Sequence, residues 1–452
     1  MKLFRALVLS LPLLAAPVLR AGDAEACGGC IISQSESTQV SSHRMILSIS
    51  QQQTTLWDQI TYAGEPSSFA WVLPIKGEVE VGLSSDALFG MLDQWTRVEI
   101  LSPTITCTLP PGCFGGFDGG VGFASSSSTG GGGVVVIAEE VVGPYATVQL
   151  KSQDPNALTN WLTMNGYNIP PDIAPIINAY VQEGFDFLAL KLVPGQGVNA
   201  MRPVRVTGPG ASLSLPLRMV AAGTGATTPI SLWVMGEGRY EPKNFPRFEI
   251  GVSDLVWNWD TESSNYKELR QNNFDASGGK AWLIETAAPF SKYFAEGLLN
   301  TAQNDPANSG YGDDPAGPTA LEECQADLDK LYGTIDDQNL WVTRMYAELS
   351  RPALAADLVV GAAAEQVNVE RYLQVSKTAG TPPPCPPPPP GCEGAGGAGG
   401  AAGAGGNGSG NGNGNGDSGG GCAVSGASSL PGALALLGGA ALVSAVRRRR
   451  RP

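Results

Sequence analysis

Histidine is almost missing: one residue, His43, stands in a chain of 452. A two-histidine zinc motif is therefore excluded, and any His-dependent triad would have to be built on His43. Its place beside Arg44, at the start of a strand, points to a solvated or structural role. No Gly-x-Ser-x-Gly elbow occurs in the body, since Gly210-Ala211-Ser212-Leu213-Ser214 lacks the final glycine. Basic charge is also short, with 28 Lys+Arg against 42 Asp+Glu and a formal net charge of −14. Loss of the two chain ends removes Lys2, Arg5, Arg20 and five arginines, but only Asp23 and Glu25, which brings the remainder to about −20. Such a surface has little with which to displace counterions, so nucleic acid is not an expected partner.

What the chain does have is organised by its two ends. Met1 to Ala26 combines Lys2 and Arg5, an apolar run from Leu7 to Leu19, and Ala24-Glu25-Ala26 before Cys27. This reads as a signal peptide over residues 1–26; acylation of Cys27 is the alternative, disfavoured by Arg20, Asp23 and Glu25. Residues 378–421 form a linker, Pro-rich from Thr381 to Pro390 and Gly/Asn/Ala-rich from Gly391, whose composition predicts a semi-rigid spacer followed by flexible, disordered chain. Residues 422–452 follow as a tail. It consists of Cys422, an apolar stretch over 430–446 at the short end of a transmembrane helix, and Arg447, Arg448, Arg449, Arg450 and Arg451 on the side that stays cytoplasmic.

Between the ends the patterning is α+β: mixed, mainly antiparallel sheets with packed helices. Met45, Leu47 and Ile49 alternate with polar residues, as in a half-buried strand, and Phe69 to Ile75 is a second strand. Ser85 is placed to cap a helix with Leu88, Met91, Leu92 and Trp95 on one stripe. Asp154-Pro155 opens another helix with Leu158, Trp161 and Leu162. Ile173, Ile176, Ile177, Tyr180 and Val181 mark a third, and Phe185 to Val193 is apolar enough to be a strand covered on both faces. Short strands are expected at Ser212–Val220, Ile230–Gly236, Arg247–Val252 and Ala281–Glu285. Two helical stripes follow: Leu321, Cys324, Leu328 and Leu331, then Val342, Met345, Tyr346 and Leu349 before Pro352. The expected organisation is an α+β subdomain over 27–200 and a β-rich, then helical, subdomain over 201–377.

Cys27/Cys30, Cys107/Cys113 and Cys385/Cys392 are three close pairs, and export favours their oxidation to disulfides. Cys27-x2-Cys30 is also a metal or redox spacing, and with Cys107 and Cys113 it has the makings of a four-thiolate zinc site. Cys324 is left on an apolar helix face, either as a buried thiol or as a competitor within a local pair. The Gly/Ser-rich stretch from Gly112 to Gly133 precedes a strand and contains no lysine, which fits a loop better than a phosphate cradle. The carboxylate pairs Glu139-Glu140, Asp313-Asp314 and Glu322-Glu323 fit solvated surface better than acid/base or calcium sites. No catalytic residue, metal site or cofactor is expected.

Two resemblances complete the reading. Gly-Gly-Gly-Cys422, a Gly/Ala/Leu-rich stretch and Arg447 to Arg451 resemble a MYXO-CTERM sorting domain. That resemblance implies a tail that engages the membrane before processing, a sorting protease acting near Cys422, and an anchor on the outer cell surface. The body resembles domain-of-unknown-function family 2330. The carrying stretches include Ala26-Cys27-Gly28-Gly29-Cys30, Phe69-Ala70-Trp71-Val72-Leu73-Pro74, Met201-Arg202-Pro203-Val204, Leu215-Pro216-Leu217-Arg218 and Thr343-Arg344-Met345. This family implies a secreted bacterial protein and brings no reaction with it. The expectation is an exported envelope protein, binding or structural, with an unknown surface partner; the alternative is a surface hydrolase using carboxylates, with or without a metal.

Overall fold

The computed structural model describes residues 30–32, 39–63, 69–106, 140–151, 156–164, 169, 173–193, 200–221, 225–312, 317–385 and 423–424. The expected signal peptide, the stretch 112–133, the tail segment 430–446, Cys27, Cys107, Cys113, Cys392, Cys422 and Arg447 to Arg451 lie outside them. No helix among the described residues is long and apolar enough to cross a membrane.

Alternation along the strands builds two large sheets. The larger has eight strands in the order Arg247–Phe248, Trp282–Pro289, Leu340–Ser350, Thr227–Glu237, Gln39–Ile49, Gln53–Ala63, Val204–Pro209 and Glu80–Leu83. Most neighbours are antiparallel; Thr227–Glu237 runs parallel to Gln39–Ile49, and Arg247–Phe248 runs parallel to Trp282–Pro289. Strands from both sides of residue 200 therefore share this sheet. The smaller sheet orders Cys30–Ile32, Phe69–Ile75, Asp186–Leu192, Tyr145–Leu150 and Glu140–Val142, all antiparallel.

Because successive side chains point to opposite faces, each sheet serves two cores. Met45, Leu47, Leu232 and Met345 of the larger sheet meet Trp71, Leu73, Leu188 and Leu190 of the smaller one in a core between the sheets. On the larger sheet's outer face, Ile46, Trp57, Trp233 and Val342 pack against helices Asp86–Thr96, Tyr293–Asn304 and Ala320–Tyr332. On the smaller sheet's outer face, Val72, Phe187 and Ala189 pack against Ala157–Met164 and Ala174–Gln182. The architecture is α+β, with helices outside a pair of stacked, mostly antiparallel sheets. Asp186–Leu192 is covered on both faces, which explains its nearly continuous apolar sequence.

Two local expectations are corrected. Val342, Met345, Tyr346 and Leu349 do not share a helix; Leu340–Ser350 is a central strand, paired along its whole length with Thr227–Glu237. Both of its faces are buried, so apolar residues fall at almost any spacing, including a helical one. Ser212–Val220 is not one strand either: Ser214–Leu215 pairs briefly, and a single helical turn, Leu217–Val220, begins after Pro216. Proline has no N–H to continue the ladder.

Candidate functional site

Helix Ala320–Tyr332 opens with Thr319, whose hydroxyl accepts from the Glu322 N–H while the Glu322 carboxylate accepts from the Thr319 N–H. Its buried stripe runs Ala320, Cys324, Asp327, Leu328 and Leu331, so one carboxylate is carried straight into the core. Asp327 is fully buried. Its Oδ1 accepts from Trp57 Nε1 at 2.9 Å and Arg205 Nη1 at 2.8 Å; its Oδ2 accepts from Tyr311 Oη at 2.8 Å and from Ser84 Oγ. Arg205 crosses the neighbouring strand at Gly82, where an added Cβ would lie 2.6 Å from its Nη2. One turn earlier, Glu323 accepts from Arg202 Nη2 at 2.6 Å and from the Gly312 N–H at 2.7 Å.

The chemistry of this cluster is closed. Four donors occupy the Asp327 carboxylate, which leaves no ready position for a metal or a substrate proton. Burial, then the Asp327 charge, pushes the Cys324 thiol up to about 12, and the same two causes raise the Tyr311 phenol. A thiol held protonated is a poor nucleophile and a poor metal ligand.

His43 and Asp58 form the second buried pair, with Nδ1 3.3 Å from Oδ1. Both are nearly inaccessible, and His43 Nε2 has no partner among the described residues. Asp58 borders a cavity of about 20 Å³ between the sheets, walled by Met45, Leu56, Trp71, Leu73 and Met219. A water needs about 10–15 Å³ of such space, so this cavity has room for a water and not for a substrate. His43 is thus a core residue, structural rather than solvated.

A third cluster fixes helix Asp86–Thr96 to the larger sheet. Arg344 donates from Nε to Glu285 at 2.6 Å and pairs with Asp93 at 2.8 Å. Its guanidinium lies 5.2 Å from the Trp233 ring, that of Arg44 lies 5.4 Å away, and Trp233 Nε1 donates to Thr96 at 2.8 Å. Burial, more than any neighbour, lowers the Arg44 pKa. On the smaller sheet's side, Asp357 accepts from Tyr180 Oη at 2.6 Å and from Arg218 Nη2 at 2.7 Å, while Arg218 also donates to Glu183.

Of the residues singled out by sequence, Glu322 caps a helix and Glu323 neutralises Arg202. Cys324 is a free, buried thiol. Cys30 begins the edge strand opposite Trp71, and Cys385 is disulfide-bonded. No group of three or more His, Cys, Asp or Glu side chains able to hold a metal occurs among the described residues. Asp58, Arg205 and Asp327 belong to no motif in the sequence, and Arg344 is marked there only within the family-like stretch Thr343-Arg344-Met345. A charge in line with an apolar stripe, as Asp58 is with Leu56 and Asp327 is with Cys324 and Leu331, was the available signal.

A family model described as an uncharacterized protein conserved in bacteria, DUF2330, matches residues 21–353. No curated protein matches the chain. Among solved structures, the chain is similar to the crystal structure of baculovirus P35 at 10% identity and a TM-score of 0.24, over 46% of this chain and 68% of that one, too slight a likeness to bear on fold or function.

Proposed function

The chain belongs to the DUF2330 family of uncharacterized bacterial proteins, and on that premise we propose that it is an exported envelope protein, held at the outer surface, that acts by binding or by structure rather than by turnover. The observation that carries this reading is the use made of buried charge. Asp327 with Arg205, Arg344 with Asp93, and Asp357 with Arg218 each join one element or layer to another, Glu285 holds Arg344 from the neighbouring strand, and each is occupied by partners within the body. Support for export comes from the sequence: a signal-like start, a Pro/Gly linker, and a tail resembling the MYXO-CTERM sorting domain. The tail would engage the membrane through 430–446, a sorting protease would act near Cys422, and the arginines would be lost. The remaining acidic body would meet a surface partner at the end of its linker.

Sequencing both ends of the protein recovered from the cell envelope tests this. A first residue close to Cys27 and the absence of Arg447 to Arg451 are expected; an intact Met1 or a retained arginine run refutes the route. Turnover is tested separately by incubating the purified protein with ester, phosphoester and glycoside substrates. Hydrolysis that disappears on substituting surface carboxylates would replace the binding reading with an enzymatic one.

A further inference from the structure

The family region ends at residue 353, but the folded chain does not. Leu358–Ala362 pairs with Ser214–Leu215 and with Tyr240–Pro242, and its Leu358 and Val360 are buried in the core between the sheets. Beyond Val369, which bridges to Ala287, the chain returns across the outer side of the larger sheet in two short steps. Tyr372–Gln374 lies parallel to Glu99–Leu101, with the Glu99 N–H donating to Arg371 O at 2.8 Å and the Val375 N–H to Leu101 O at 3.0 Å. Leu373 and Val375 fill a small core with Leu255, Phe274 and Leu283.

The second step is lighter. Lys377–Ala379 lies parallel to Val256–Asn258, and all three of its residues are exposed. It is closed by backbone: the Trp259 N–H donates to Ala379 O at 2.9 Å. Asp260 then accepts from the Thr381 N–H at 3.1 Å. Gly380 makes this turn at φ +74°, where a Cβ would come within 2.6 Å of Asp260 Oδ2. The Pro-rich linker starts at this point.

We propose that residues 371–381 are a peelable clip, a self-donated strap outside the family region that fastens the linker to the body and opens before the sheets do. Each step adds a strand to an available edge, so the main chain supplies the attachment and few side chains are committed. Opening starts at Thr381, passes Lys377–Ala379, and then withdraws Leu373 and Val375. It stops before Leu358 and Val360, whose burial ties them to the central core. Tension from a surface anchor would travel through this clip, and that role rests on the function proposed above. The order of opening does not, because it is a property of the purified protein.

Hydrogen exchange on the full chain, read peptide by peptide, provides the test. In native buffer, peptides spanning 371–381 and 256–260 are expected to exchange about 100-fold faster than Thr227–Glu237 or Leu340–Ser350, yet at least about 10-fold slower than an unstructured chain. Asp260→Ala and Gly380→Ala, both at the surface turn, are expected to raise exchange around 377–381 about 10-fold and to leave Leu340–Ser350 unchanged. Exchange at the rate of the central strands would make the strap part of the core, and exchange at the unstructured rate would mean there is no clip. An Asp260→Ala variant with unaltered exchange near 377–381 would also overturn the proposal. None of these outcomes depends on where the protein resides in the cell.

Discussion

Asp327 is the residue on which the contact between helix Ala320–Tyr332 and the larger sheet turns. Replacing it with alanine leaves Arg205 buried without its counter-charge and three further donors without an acceptor. The expected loss is about 3–5 kcal/mol in urea unfolding, against under about 1 kcal/mol for an exposed carboxylate such as Asp329. Cys324 should resist maleimide in native buffer at pH 8 and react fully once the chain is unfolded, because burial keeps its thiol protonated. The buried phenols carry a pH signature. Burial raises Tyr180, Tyr311 and Tyr332 above the ordinary value of 10.0. Their contribution to stability is therefore complete below pH 10.0 and falls away above it, as the unfolded chain releases protons that the native one retains. Urea midpoints should hold from pH 7 to 9 and fall beyond about pH 10, with a shallower fall in Tyr311→Phe.

Among the elements, Leu340–Ser350 separates what patterning can reveal from what it cannot. Helix Asp86–Thr96 was legible because Ser85 caps it and one face meets solvent; even there Phe89 is buried while Trp95 is 37% exposed, a rotation of the stripe toward the sheet. Asp186–Leu192 was legible because length and β-rich composition agree. Leu340–Ser350 was not, because burial on both faces erases the period and its partners lie far away in sequence, at Thr227–Glu237 and Trp282–Pro289. The buried charges were hidden for a related reason: Asp327 and Arg205 are 122 residues apart, and only the folded sheet brings them together. Met345→Ala, in the core between the sheets, should cost about 2–5 kcal/mol. Thr319→Ala, which removes the helix cap, should cost about 1 kcal/mol. Both are read from urea midpoints at constant m.

At the scale of the molecule, the interleaving of 39–83 with 204–350 in one eight-stranded sheet predicts cooperative unfolding. Tryptophan fluorescence and far-ultraviolet dichroism should give coincident urea transitions; two separated transitions would mean that the halves unfold independently. On the function proposed above, an acidic body whose buried charges are committed to one another, followed by a linker and a sorting-like tail, serves display rather than catalysis. The most direct measurement is labelling of intact producing cells with a membrane-impermeant amine reagent, followed by recovery of the protein and peptide mapping. Labelled lysines on the body, such as Lys267 and Lys280, together with loss of the peptide carrying Arg447 to Arg451, are the predicted result. A protein that takes up label only after lysis, or that keeps its arginine tail at the surface, would contradict the account.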